Sequence, residues 1–272
     1  MAVTSMANSS IRDFKKFNSM SAFINLGFPV SYLVIAGGGG SATDNSTGQS
    51  SGAGAGGYRS SVVGEDSGGG ASAEDALLLT KGAYALTVGA GGAAGASDGS
   101  DSVFASITSL GGGRGAAVSG SGAGDGGSGG GAGLSGTAGD GTAGQGFSGA
   151  SIAGNDGGGG GGASAAGSTT SGGAGVASEI TGSSVTRAAG GDSGGLVGAG
   201  TPGADNTGDG ATGTNLNNGG HAGGSGVVIF TLPVQATATF SGGVTQTSAV
   251  LGANRVYTVT ATSTTDETVT IS

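Results

Sequence analysis

Apolar and polar positions along this chain follow three patterns. Near the N-terminus Ile11, Phe14 and Phe17 recur at every third residue after Ser9 and Ser10. That spacing predicts one apolar face on a short helix capped by serine. Short runs of β-branched and aromatic residues come next: Tyr32–Ala36, Ala83–Val88, Val103–Thr108 and Gly226–Leu232. Except for Val103–Thr108, which serines flank, they are bounded by Gly or Pro on at least one side, and all read as strands. Between about residues 111 and 224 there is almost no strand or helix signal. Beyond Pro233, Thr237, Thr239, Val256, Thr258, Val259, Thr260, Thr268, Val269, Thr270 and Ile271 form alternating runs around the turn Ser241-Gly242-Gly243. They predict a small C-terminal β-meander.

Composition sharpens these boundaries into a segment at 1–30, a glycine-rich body at 31–233 and a β segment at 234–272. Of 272 residues 69 are Gly and only 3 are Pro. Runs such as Gly157–Gly162 break the triplet that collagen requires. The chain has 8 basic and 17 acidic residues, and its filler is Ala, Ser and Thr, unlike the highly charged composition of disordered chains. Ordering glycine costs more backbone entropy than ordering any other residue. Small side chains cannot offset that by packing, so backbone contacts must. Extended helices with three residues per turn project their N–H and C=O groups outward and can exchange hydrogen bonds side by side when Cβ atoms are absent. The expected fold class is therefore mostly β and irregular. A body of packed polyglycine-II-type helices is framed by short strands, with the C-terminal meander and an N-terminal docking arm formed by Ile11, Phe14 and Phe17.

Chemistry narrows the picture mainly by exclusion. There is no Cys and one His, His221, so no cofactor or metal site is expected. Net charge is −9, which argues against a nucleic-acid partner. No run approaches the ~18 apolar residues of a membrane span, and the first residues lack the basic start and apolar stretch of a secretory signal. Gly191-Asp192-Ser193-Gly194-Gly195 imitates a protease nucleophile motif, but His221 follows the serine rather than preceding it and the barrel strands of that fold are absent. Ala36–Ala42 imitates a dinucleotide loop without a helix behind it. Asp125, Asp140, Asp156, Asp192, Asp205 and Asp209 lie beside glycines without the nine-residue period of calcium rolls, and read as turn residues. The chain is not expected to be an enzyme.

Tyr32–Gly40 and Gly223–Phe230 resemble the boundaries of glycine-rich domains in bacteriophage tail fibres and adhesins. Gly54-Ala55-Gly56-Gly57-Tyr58, Leu86–Gly92 and Ser102-Val103-Phe104 follow in the order usual there. The resemblance spans residues 32–233, and Ser10–Phe14 is similar to the starts of marine phage structural proteins. It implies a virion surface protein, often trimeric, that docks to tail or capsid proteins and contacts host envelope glycans. Turns around Asn45, Asn155, Asn206 and Asn217 are the candidate host-contact loops, because loops can project larger polar residues. Scarce aromatics, 4% of the chain, depart from the aromatic tips of such adhesins. The alternatives are a capsid decoration protein or head fibre, and an ice- or surface-binding protein.

Overall fold

The computed structural model describes residues 27–43, 49–117, 122–134, 136–151, 157–197, 199–215 and 219–272. The strands before the glycine-rich body's middle are β1 (Phe28–Val30), β2 (Tyr32–Ile35), β3 (Tyr58–Ser60), β4 (Leu77–Leu79), β5 (Gly82–Thr87), β6 (Ser102–Phe104) and β7 (Ile107–Ser109). They are followed by β8 (Val176–Ser178), β9 (Val185–Arg187), β10 (Val227–Pro233), β11 (Ala238–Phe240), β12 (Val244–Leu251), β13 (Asn254–Thr262) and β14 (Thr268–Ile271). Among the described residues the helical elements are single turns at Gly68–Gly70 and Gly194–Val197. The fold is mostly β, as the alternating runs predict.

Two five-stranded antiparallel sheets, ordered β12-β13-β10-β2-β3 and β11-β14-β5-β6-β7, form a sandwich. The period of two sends alternate residues of each strand to opposite faces. In the first sheet Tyr32, Val34, Val228, Phe230, Tyr257 and Val259 face the second sheet's Leu86, Phe104, Val269 and Ile271. Phe230 stacks between Phe104 and Tyr257, with ring centroids at 4.6 and 5.1 Å. The intervening Leu33, Ile35, Val227, Ile229 and Val256 build a second cluster with Tyr58, Val176, Ile180 and the methyls of Ala55, Ala163 and Ala188. A side-chain core thus exists beside the backbone contacts that composition emphasises.

Three expectations need correction. The run Val103–Thr108 is two strands, because Ala105 turns the chain at φ +53 and pairs β6 with β7. The C-terminal strands do not form a meander: β13 pairs with β10 while β14 pairs with β5, so they are divided between the two sheets. Each sheet would otherwise leave an apolar strand uncovered. The hairpin β8–β9 lies within the stretch that carries almost no strand signal, and Val176 and Ile180 anchor it to the second cluster.

Much of the remaining described backbone belongs to no sheet and is hydrogen-bonded to several neighbours at once. Residues 50–58 show the pattern. Ser50, Ala53 and Gly56 donate to the carbonyls of Thr214, Ala211 and Gly208; Ser51, Gly54 and Gly57 donate to Ala116, Gly113 and Leu110; Gly52 and Ala55 donate to Gly158 and Gly161. The carbonyls of the same segment accept from Gly194 and Gly191, from Gly131 and Ser128, and from Gly39 and Ala36. All these bonds measure 2.8–3.1 Å. Each neighbour is revisited every third residue, and the six neighbours surround the segment completely. The pattern recurs at Gly158–Ala163, whose amides alternate between residues 132 and 129, 168 and 165, and 191 and 188. The segments continue the strands: β2 runs on into 36–41, β7 into 110–116 and β9, of the separate β8–β9 hairpin, into 188–194, while 50–57 returns to β3 and 221–226 to β10.

A clasp holds the C-terminal strands. Glu267 accepts hydroxyl hydrogen bonds from Ser241 and Ser263, which hold its carboxyl below the usual range. That contribution to stability is complete above the ordinary glutamate value of 4.5 and is lost as pH falls through the lowered value. Urea titrations should show stability declining on acidification, and Glu267→Gln should flatten that part of the profile. Phe230→Ala, which empties the centre of the aromatic stack, should cost about 3–5 kcal/mol in the same measurement.

Candidate functional site

Glycine in the mesh is required for the space it leaves. Across Gly37–Gly40, Gly111–Gly113, Gly129–Gly131 and Gly157–Gly162 no residue has a left-handed φ. What these residues share is a neighbour's carbonyl where a Cβ would stand: Ala53 at Gly160, Phe147 at Gly161, Gly158 at Gly131. Left-handed glycines occur instead at turns, such as Gly95 at φ +95 and Gly144 at φ +77.

Carboxylates complete the mesh where a neighbouring carbonyl is missing. Along 111–116, Gly112 and Gly115 donate to Gly37 and Gly40, and Gly113 and Ala116 donate to Ser128 and Gly131. The third side, Gly111 and Arg114, donates to Asp101 Oδ1 and Asp98 Oδ1 at 2.8 Å each. Asp125 accepts from the amide of Asp140, Asp192 from Gly172 and Asp209 from Ala189. Of the aspartates read as turn residues, Asp125, Asp192 and Asp209 therefore serve as acceptors for a neighbouring segment. Asp98 and Asp101 were missed by motif reading. Their signal is a spacing of three, the same spacing that separates the amides of Gly111 and Arg114 they accept from. Arg187 is buried at the foot of the mesh; burial lowers its pKa, opposed by nearby Tyr58 and Asp209.

The segments give the molecule two ends. Gln49 bridges to Asn215, Gly220 donates to Thr43, and Gly158 pairs with Ala132. The described residues flanking Asn45, Asn155 and Asn217 therefore emerge together at the end remote from the sandwich. Those three asparagines themselves lie outside the described residues, as do Ile11, Phe14, Phe17 and Asp156. Asn206 is separate. It turns the chain at φ +62, its amide donates to Ser225 Oγ, and the adjacent Thr207 carbonyl accepts from Ala188. Ser225 lies two residues before β10 and Ala188 directly after β9, so this turn lies at the sandwich end. The distal end also carries a cleft of about 180 Å³ lined by Ala116, Ala123, Leu134 and Thr137, and the turn at Gly95-Ala96, whose amides both reach the Ser41 carbonyl.

The two enzyme-like motifs are parts of the mesh. Ser193 is fully buried, and its amide donates to Thr170, between Gly191 and Gly194 bonded to Ala53 and Ser50. Ala36–Ser41 is the segment that prolongs β2, with its amides donating in turn to Gly57, Ser100, Gly224, Gly54, Ser97 and His221. His221 places Nε2 at 2.7 Å from the Ala199 carbonyl. No cluster of three or more His, Cys, Asp or Glu side chains suited to a metal occurs among the described residues. Nor is any described helix long and apolar enough to cross a membrane.

A family model described as a glycine-rich domain matches residues 22–233, and the chain belongs to that family. No curated protein and no solved structure matches it.

The geometry separates two classes of glycine by substitution. Gly160→Ala drives a methyl into the Ala53 carbonyl and should lower stability by about 1–3 kcal/mol through overpacking. Gly242→Ala meets nothing within 4 Å and should stay within about 0.5 kcal/mol of the parent. Chemical denaturation of the two variants checks both.

Proposed function

For this member of the glycine-rich domain family we propose a structural role on a bacteriophage particle: a tail fibre or host-contacting appendage, docked through its N-terminal segment and built as a homo-oligomer. Its body is a bundle of polyglycine-II-type helices acting as a stiff spacer, and its distal loops meet host envelope glycans.

One observation carries the reading. The sandwich, where the described chain begins at Gly27 and β1, and the loop-bearing end lie at opposite ends of the mesh. An appendage needs that polarity: one end to hold the particle and another to face the host. The three-residue recurrence of bonding partners supports the polyglycine-II description, since that helix has three residues per turn. Segments enclosed by six hydrogen-bonded neighbours suit a spacer, because bending one would break bonds to all the others.

Removing residues 1–26 leaves β1 intact and should give a folded protein that no longer joins particles. Incorporation at normal copy number would overturn the docking role. Exchanging 215–218 for a Gly-Ser linker of equal length should reduce adsorption to host cells, whereas exchanging Asp205-Asn206, in the turn at the sandwich end, should not. Unchanged adsorption with both exchanges makes the body a spacer alone. Immunolabelled particles imaged by electron microscopy distinguish a tail position from the capsid position of a decoration protein or head fibre.

A further inference from the structure

Strand β12 is the outer strand of the first sheet, and among the described residues nothing pairs with its free side. Seven of its eight residues are exposed. Long edge strands are ordinarily blunted by Lys, Pro or an inward-pointing charge. Val244–Leu251 reads Val-Thr-Gln-Thr-Ser-Ala-Val-Leu and contains none of these. Its irregularity, between Thr245 and Gln246, leaves Gln246–Leu251 regular.

Register identifies which backbone groups face outward. The turn Gly252-Ala253 joins β12 to β13 with φ +61 at Gly252, the pattern of a type II′ hairpin. Leu251 and Asn254 flank that two-residue loop and exchange its first hydrogen bonds. Bonded pairs then recur at every second residue, at Ala249–Val256 and Thr247–Thr258. On the other side of β13 the Val234 amide bonds to the Ala253 carbonyl, which fits the same phase. The N–H and C=O groups of Gln246, Ser248 and Val250 therefore point away from the sheet.

We propose that β12 pairs antiparallel with β12 of a second copy of this chain, with Ser248 on the two-fold axis. The three outward-facing residues are symmetric about Ser248. Ser248 meets its own copy, Gln246 meets Val250, and each pair exchanges two backbone hydrogen bonds. The same patch serves both partners, as a two-fold interface requires. Like charges opposite one another destabilise paired strands. In a chain of net charge −9, the strand itself carries no charge; the nearest is Arg255 on β13, whose Nη1 donates to Ser248 Oγ at 3.4 Å. Val250 and Leu251, 56% and 48% exposed, add apolar surface at the ends of the pair. Eight residues bury less than the ~800 Å² per partner of a standard interface, so the dimer is weak in solution and forms fully where copies are concentrated. The inference does not depend on where the protein resides.

The chain has no Cys, so single cysteines report the register. Opposed residues of a hydrogen-bonded antiparallel pair have Cα atoms about 5.5 Å apart, within disulfide reach of roughly 4.4–6.8 Å. Under mild oxidation at high protein concentration, Ser248→Cys should give a covalent dimer. Gln246→Cys or Val250→Cys alone should not, because each lies about 14 Å from its own copy, but a mixture of those two should cross-link. Ser248→Pro removes an outward N–H and no intrachain ladder bond. It should preserve the melting temperature and abolish the dimer in sedimentation. A monomer at every concentration up to millimolar, a trimer, or equal cross-linking at all three positions would overturn the proposal.

Discussion

The structure depends on one exchange: amide to carbonyl hydrogen bonds between extended segments that approach until nothing larger than a hydrogen fits between them. A buried amide left unpaired costs about as much as a lost hydrogen bond or more, and the mesh contains long stretches of buried backbone. Sheet pairing could satisfy these groups on two sides only. Here successive amides reach neighbours on different sides, so that 50–58 is satisfied by six neighbours. Proximity then excludes Cβ atoms at most positions. The alanines that remain, such as Ala55, Ala163 and Ala188, turn their methyls into the apolar cluster under the first sheet.

The sandwich supplies what the mesh lacks. Uniform glycine segments have no side chains to fix their register, and weakly specified strands slip. Here the segments prolong strands whose partners are set by apolar alternation. Ile35 faces Tyr58 and Val227, and from those pairs 36–41, 50–57 and 221–226 inherit their alignment. Residues far apart in sequence, such as Tyr32 and Phe230, are neighbours in the sheet. The register of the interior is thus settled by non-local contacts at its foot, together with carboxylates such as Asp98 and Asp101 along its edge.

Much of this was legible in the sequence. The strands at Tyr32, Ala83 and Val227 stand out because β-branched and aromatic residues there are flanked by glycine, and the collagen triplet fails on inspection. The hairpin at Ala105 was hidden because alanine is an ordinary strand residue and gives no turn signal. The pair β8–β9 was hidden because three-residue strands are shorter than any periodicity can register. The division of the C-terminal strands between two sheets was also out of reach, since it depends on which apolar faces the earlier strands leave open. Among the candidate loops, alternation and composition treat Asn206 and Asn217 alike. The separation of Asn206 from the described residues that flank Asn217 follows from the direction of each segment, which only the hydrogen-bond partners reveal.

Three-residue recurrence also governs how such a chain can change length. One extra residue inside a segment hands every later amide to the wrong neighbour, because partners recur every third residue. Adding three restores the partner but shifts the segment along all six others. Viable insertions in the interior must therefore be collective, whereas those at segment ends disturb no neighbour. In a chain bonded this way, changes of length fit only at the turns between segments, and the end farthest from the sandwich is the part freest to diversify.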